Sequence, residues 1–338
     1  MSQMLGKQSI KLDTKVYIMG AGSAVGPKEG EGPLGACFDH VFEDPMAQAD
    51  SWEEAESELQ KEAARIALKK AKLKPQELRY VFAGDLLAQS IASSFGVEDL
   101  QVPLFGLFGA CSTMGESLSL GAMTVAGGYA GHVLCLTSSH FASAEKEFRF
   151  PLGYGNQRPL SASWTVTGSG ACVLGLERGK VCITGITTGK IVDKGIKDSL
   201  NMGACMAGAA ADTIYHHFHD FERNPEDYDK IITGDLGSVG REILCKLLGE
   251  KGYDIAPNHT DCGILIYDPE TQDTHAGGSG CGCAASVLAA HILPELTKGD
   301  WKRVLFVPTG ALLSKVSFAE GNTVPGIAHA VVLERGVE

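Results

Sequence analysis

The sequence predicts an α/β protein built from two related halves and stacked as a duplicated five-layer α-β-α-β-α sandwich. Three observations predict it. First, four segments recur in the same order. YVFAGDLL from Tyr80 returns as KIITGDLG from Lys230, and GACSTMGESL from Gly109 returns as GCGCAASVL from Gly280. HVLCLTSSHFAS from His132 returns as RVLFVPTGALLS from Arg303, and ACVLGLERG from Ala171 returns as AHAVVLERG from Ala328. One such pair is cheap by chance; four in order imply duplication. Second, near-continuous apolar runs alternate with helical patterns, so each sheet is covered on both faces. Third, each glycine-cysteine turn opens a helix rich in small residues (Gly121 and Ala122; Ala284, Ala285, Ser286, Ala289 and Ala290), which suits burial between two sheets. The halves are read as 1–178 and 179–338.

The elements follow in chain order. Val16–Gly20 is an apolar strand. Ser51-Trp-Glu-Glu54 has the spacing of a capping box. It opens a helix with Ala55, Leu59, Ala63, Ile66 and Ala67 on one face. Lys69, Lys70 and Lys72 close that helix before Pro75, where cations suit the C-terminal dipole. Arg79–Ala83 is a strand, and the Ser112–Ala126 helix stops at Gly127-Gly128. Val133–Thr137 and Ala171–Leu176 complete the first half. In the second half the strands are Val181–Ile186, Ile231–Thr233, Val304–Pro308 and Ala330–Leu333. Its helices are Met206–Phe221, Ser238–Gly249 and Ala284–Leu296. The glycine-rich Gly20–Pro33 stretch lacks the Gly-Lys-Ser/Thr ending of a phosphate loop, and its Pro27 and charged, glycine-rich continuation argue against a dinucleotide fingerprint, whose spaced glycines open a helix. It reads as a surface loop or partner contact.

Bulk properties narrow the function. The chain has 338 residues, 44% of them hydrophobic, enough for a large core. A net charge of −12 argues against a general nucleic-acid or anionic-membrane binder. No apolar run reaches the roughly 18 residues of a membrane span. Met1 to Lys15 carries no apolar core of a secretory signal. Cys135, Cys172, Cys182, Cys245 and Cys262 lie in or beside apolar runs, as free thiols in a reducing compartment do. There is no Cys-x-x-Cys pair, and Cys281-Gly-Cys283 alone is not a zinc signature. His216-His-Phe-His219 reads as a solvated helix face, since companion ligands at metal-site spacing are missing. No cofactor or structural metal is expected.

The duplication, the sandwich and a cysteine at the start of a buried helix resemble the thiolase superfamily, most of all its ketoacyl synthase III branch, over nearly the whole chain. More specific strings are AVGPKEGEGPLG (Ala24–Gly35), AGDLL (Ala83–Leu87), LFGACSTMGES (Leu107–Ser117), TVTGSGA (Thr165–Ala171), AAADTI (Ala209–Ile214) and AGGSGCGC (Ala276–Cys283). Together they are similar to the stage V sporulation protein AD family, the thiolase-like subunit of the spore dipicolinate-uptake system. The resemblance implies a thiolase-like fold and binding of dipicolinic acid (pyridine-2,6-dicarboxylate), alone or as its calcium chelate. It also implies membrane subunits of the same transport system as partners, a peripheral place on the cytoplasmic face of the spore (forespore) inner membrane, and a homodimer formed through the sheet edge.

By the same resemblance Cys111 corresponds to the nucleophilic cysteine of the thiolase fold. A helix start favours a thiolate, and the turn's amides could form an oxyanion hole. Were the chain an enzyme, it would be an acyltransferase or condensing enzyme working through an acyl-Cys111 thioester. The ketoacyl synthase III branch needs a histidine and an asparagine as donors beside that cysteine. The histidine's place reads TGDLGSVG, with Asp235, and the asparagine's reads GSGCGCAAS, with Cys281. A carboxylate cannot donate to a developing oxyanion, so binding is expected over catalysis. Cys281 keeps a thiolase-like second cysteine open.

Two helix starts facing one cavity, near Cys111 and near Cys281–Cys283, would offer free N–H groups to the two carboxylates of a small ligand. The candidate ligand-binding residues are Cys111, Ser112, His140, Arg149, Asp235, Gly280 and Cys281. His140 is a donor candidate or a surface histidine. Arg149 and Arg158 could pair with a carboxylate or lie in solvent or at a dimer contact. Asp85 and Asp235 occupy equivalent strand ends: Asp85 reads as a helix cap, while Asp235 is open to a cap or a calcium contact.

Overall fold

The computed structural model describes residues 3–148, 157–177 and 179–336. Ten strands form one hydrogen-bonded path. In the first half they are β1 (Ser9–Val25), β2 (Tyr80–Gly84), β3 (Leu104–Leu107), β4 (Val133–Ser139) and β5 (Gly168–Gly175). In the second they are β6 (Val181–Thr187), β7 (Lys230–Thr233), β8 (His259–Asp261), β9 (Arg303–Val307) and β10 (Ala330–Arg335). The order across the sheet is β3-β2-β4-β5-β1 followed by β6-β10-β9-β7-β8. Each second-half strand therefore takes the place of its first-half counterpart five numbers earlier. The directions match too: β3, β2 and β4 are parallel, as are β8, β7 and β9, while β5, β1, β10 and β6 join antiparallel. The halves meet where β1 pairs with β6 across a register shift between Lys11 and Val16.

The main helices are α1 (Trp52–Ala71), α2 (Ile91–Val97), α3 (Thr113–Ala126), α4 (Phe141–Phe148), α5 (Met202–Phe221), α6 (Gly237–Gly249) and α7 (Cys281–Val287), with a short α8 (Lys315–Ala319) near the end. Strand alternation separates three helical layers. Val81, Ala83, Leu134, Leu136 and Val173 face outward onto Leu59, Ala63 and Ala67 of α1. Phe82, Val133, Cys135, Cys172 and Leu174 face inward onto Met114, Leu118 and Ala122 of α3 and onto the helix begun by α7. In the second half Val304, Phe306, Val331 and Leu333 join that central layer. Leu305, Val307 and Val332 turn outward onto Met206, Ala210 and Ile214 of α5. These are the five layers the sequence predicts.

Close packing dictates several glycines. A Cβ on Gly20 or Gly22 would sit 2.4 Å from the carbonyl of Ala67 or Ala63 in α1, and one on Gly170 would sit 2.1 Å from that of Ala285 in α7. This corrects the surface-loop reading of Gly20–Pro33. Its first residues lie in β1, and a helical turn at Pro27–Gly30 buries Glu29. Glu29 accepts from the Thr167 amide at 3.0 Å and from the Tyr267 hydroxyl, clasping both halves. Burial raises its pKa, against those hydrogen bonds.

The seam between halves carries a one-way hydrogen-bond chain. The Arg223 guanidinium donates to Tyr228 Oη (2.9 Å), and Tyr228 donates to His217 Nε2 (2.5 Å). His217 Nδ1 donates to Thr187 Oγ1 (2.7 Å), Thr187 to Ser9 Oγ (2.8 Å) and Ser9 to the Asp220 carboxylate (2.8 Å). Ser9 and Thr187 are register partners of β1 and β6. Every hydrogen runs from guanidinium to carboxylate, which requires a neutral imidazole. Burial pushes His217 down to about 3, consistent with that form. The His216–His219 run is thus not a uniformly solvated face: His219 is exposed, but His217 is core. Replacing Tyr228 by Phe strands both a buried acceptor and a guanidinium donor. The expected result is a loss of about 1–3 kcal/mol of stability, read from urea unfolding; an unchanged midpoint would show that the chain contributes nothing.

Candidate functional site

A cavity of about 290 Å³ opens where the parallel strands of the two halves end. Cys111 lines it from the turn between β3 and α3. Ala110 in that turn adopts φ +51°, a left-handed conformation unusual for a residue with a Cβ. Local bonds hold the turn: Ser112 Oγ donates to the Gly109 carbonyl (2.7 Å), and Thr113 Oγ1 donates to that of Ala110 (2.6 Å). The second turn, before α7, faces the first. Gly280 there has φ +101°, and a Cβ on it would meet Ser139 Oγ at 2.4 Å.

Asp235, 1% exposed, sits between the two turns. One carboxylate oxygen accepts from Thr309 Oγ1 (2.8 Å). The other accepts from Ser279 Oγ (3.1 Å) and the Gly280 amide (3.0 Å). The Cys111 thiol lies close enough to Asp235 to feel its charge. The Asp235 amide donates to Thr309 Oγ1 at 3.2 Å, which directs the Thr309 proton to the carboxylate. Three hydrogen-bond donors surround this group, the environment of an ionised carboxylate. Burial raises its pKa, and those donors oppose the rise. Cys111 has the reverse environment. Burial, then the Asp235 charge, pushes its thiol well above its ordinary value. The sulfur is therefore a hydrogen-bond donor, not a thiolate.

The other expected residues fall as follows. Ser112 is buried and its hydroxyl serves the turn, so it does not line the cavity. His140 is buried and also off the cavity wall: its Nε2 donates to the Pro45 carbonyl (2.8 Å) and its Nδ1 accepts from the Ala142 amide (3.1 Å). Burial lowers its pKa and keeps it neutral. Cys281 is buried behind the wall, its thiol donating to the Ser138 carbonyl at 2.9 Å. The free N–H groups expected at the second helix start are occupied, Gly280's by Asp235 and Gly282's by Ser139 Oγ (3.1 Å). Arg149 lies outside the described residues. Arg158 stacks over Trp164 at 5.0 Å and binds Asp273, away from the cavity. Asp85 is the expected cap, accepting from the amides of Leu87 and Ser93, each at 2.8 Å.

Sequence reasoning missed most of the wall. Ala144, Glu145 and Phe148 of α4 form one side, and Met202 and Met206 of α5 form another. Ser163, Thr165, Ser279 and Ser314 supply hydroxyls. Among the described residues no lysine, arginine or histidine lines the cavity, and no set of His, Cys, Asp or Glu is placed to hold a metal ion. Thr309 could have been found, because it stands in VPTGALLS where TSSH has Ser138 in the first repeat.

A family profile described as Stage V sporulation protein AD (SpoVAD) matches residues 6–334. A curated relative, "Stage V sporulation protein AD" of Bacillus subtilis (strain 168), is 45% identical over 333 residues, covering 98% of each chain. Among solved structures, 3-oxoacyl-[acyl-carrier-protein] synthase III from Aquifex aeolicus VF5 superposes with a TM-score of 0.58 at 15% identity, over 94% of this chain and 99% of that one. Xanthomonas campestris OleA with bound lauric acid and lauroyl-CoA gives 0.61 at 14% identity, over 95% and 99%. The fold is therefore thiolase-like, of the ketoacyl synthase III type.

The Asp235–Cys111 contact generates a direct expectation. Asp235→Asn removes the charge that holds the thiol protonated. In a background lacking the exposed Cys37, iodoacetamide should alkylate Cys111 faster in Asp235→Asn than in the parent at pH 8, on the order of tenfold or more. Equal rates would mean that the carboxylate does not control the sulfur.

Proposed function

The chain belongs to the stage V sporulation protein AD family, a family of sporulation proteins, and from that premise we propose that it is a non-catalytic subunit that binds dipicolinic acid. It takes the ligand free or as the calcium chelate and exchanges it with membrane subunits of the same transport system in sporulation and germination. One observation carries the non-catalytic part: Asp235 accepts hydrogen bonds where condensing chemistry needs a donor. A carboxylate there repels the oxyanion of a thioester intermediate and raises the thiol that would have to attack. Burial of Cys281 with its thiol on a backbone carbonyl supports the same reading, because that sulfur does not line the cavity.

The cavity suits a small rigid molecule. Its apolar walls match an aromatic ring, and the Thr165 and Ser314 hydroxyls, one from each half, can donate to carboxylate oxygens. Arg149, which follows the wall residue Phe148 in sequence, is the guanidinium proposed to pair with a carboxylate. Cys111 contributes its sulfur to the wall.

The setting is proposed in the same way. Attachment to the cytoplasmic face of the spore inner membrane is proposed as peripheral, through partner subunits; no described helix is long and apolar enough to cross a membrane. The edge strand β3 exposes Leu104 and Phe105, with Phe108 just beyond it, an apolar strip that suits pairing with a second copy. Phe105→Lys should convert a dimer to a monomer in sedimentation velocity; a dimer that persists would move the contact elsewhere.

The central test is calorimetric titration with dipicolinate, with and without calcium. Saturable binding is expected. Cys111→Ala should weaken it more than Arg158→Ala, since only Cys111 lines the cavity. No saturation in either condition would remove the binding reading. In parallel, incubation with acyl-CoA donors followed by intact-mass analysis should leave Cys111 unmodified; an adduct absent in Cys111→Ser would establish the acyltransferase instead.

A further inference from the structure

Among the described residues the cavity wall carries hydroxyls but no cation, and a cation stands at its rim. Lys315 opens α8 and directly follows the wall residues Leu312, Leu313 and Ser314. Its Nζ lies 3.4 Å from Oε1 of Glu147, which stands in α4 between the wall residues Glu145 and Phe148. The pair therefore joins the two halves through two stretches of chain that both line the cavity.

This pair is weakly held. It is the longest lysine–carboxylate ion pair among the described residues; Lys61–Glu58, Lys70–Asp39, Lys190–Asp212 and Lys298–Glu295 span 2.6 to 3.0 Å. The Lys315 side chain is 47% exposed and that of Glu147 37%, so water screens the attraction and the pair opens cheaply. The chain that carries Lys315 is anchored mainly at its ends. Thr309–Ala311 and Gly326–Ala328 pair antiparallel, and the Leu312 amide donates to the Pro325 carbonyl (2.8 Å). On the returning leg the Val324 amide donates to the Ile196 carbonyl (2.8 Å), and Thr323 Oγ1 donates to Asp193 (2.5 Å). Between these anchors α8 buries none of its five residues. Its backbone bonds stay local, from the Phe318 amide to the Ser314 carbonyl and from the Asn322 amide to that of Ser317.

We propose that Lys315 is an anion-capturing side chain of the cavity, which trades Glu147 for the carboxylate of a small molecule that enters beside Ser314. A lysine suits the exchange, because its ammonium is a point charge on a flexible stem and needs no fixed geometry. The exchange breaks a solvated pair and forms one partly withdrawn from water, where the same two charges attract more strongly. The capture rests on the dipicolinate reading only for the identity of the ligand, in which Lys315 takes the carboxylate that Arg149 does not. The capture itself requires only a small carboxylate.

Iodoacetate and iodoacetamide differ by one charge and react with the same sulfur. The ratio of their rates at Cys111 therefore reports how the cavity receives an anion, while thiol reactivity and general access cancel. In the full chain lacking Cys37, with alkylation followed by peptide mass, the iodoacetate-to-iodoacetamide ratio should fall about three- to tenfold in Lys315→Met. Lys146→Met removes the same charge from the neighbour of Glu147, off the cavity wall, and should leave the ratio within about twofold. An equal fall in both variants, or no fall in Lys315→Met, overturns the capture. Dipicolinate titration of the same variants keeps the two readings apart. Saturable binding should weaken in Lys315→Met and not in Lys146→Met. A parent that binds no dipicolinate, with a ratio that still depends on Lys315, upholds the capture and removes the dipicolinate reading. A parent that binds dipicolinate no better than Lys315→Met does upholds that reading and overturns the capture.

Discussion

A buried carboxylate with three hydrogen-bond donors and a thiol beside it sits where the two halves of this protein meet. Asp235 ends a strand of the second half, but its partners come from three other places: Thr309 after β9, Ser279 and Gly280 before α7, and Cys111 from the first half. An unpaired charge at that depth would cost several kcal/mol. The turns are therefore held at the spacing that surrounds it with hydrogens. The left-handed Ala110 and the positive φ of Gly280 are the backbone consequences, since each turn must present donors inward at a point where a side chain has little room. The cavity is the space left in front of this knot.

Duplication created two such strand ends, and they have diverged in what stands beside them. Asp85 and Asp235 occupy matching positions in AGDLL and TGDLG. Asp235 meets a thiol and three donors. Asp85 meets two amides and the Ser93 hydroxyl, with the Glu56 carboxyl nearby. The first arrangement keeps a charge and silences a sulfur. The second sets two buried carboxyls near each other, and burial raises both. Identical residues at equivalent backbone positions thus do different work because desolvation and hydrogen-bond count, not residue identity, set their protonation.

The parts of the fold legible in the sequence were those governed by local period and repetition. The matching strand order of the two halves was foreshadowed by the repeat on the order of 150 residues long, and α1 announced itself through its Ser51 cap and lysine-rich end. The short edge strands β3 and β8 were not visible. Leu104–Leu107 is largely exposed, and His259–Asp261 is only three residues long, so neither makes a pattern. In the site, Cys111 and Asp235 were identifiable because the turn and strand end that carry them are repeated. His140 and Ser112 could not be assigned correctly from type alone. Whether a polar side chain faces a cavity or satisfies nearby backbone is decided by orientation, and the sequence shows only that it is polar. The wall residues Phe148 and Met206 look like ordinary apolar positions until two elements are brought together around them.

The relation between Cys111 and Asp235 also gives a nucleophile-like cysteine a structural part to play. With the thiol present, the buried carboxylate has a donor on its cavity side. Without it, that side turns toward whatever fills the cavity, and a carboxylated ligand would meet an unshielded negative charge. The S–H is weak as a donor, but it is apolar enough for the wall, and burial with the Asp235 charge keeps it protonated. The sulfur thus screens the carboxylate from the cavity, and the carboxylate keeps the sulfur in the one protonation state that can do so.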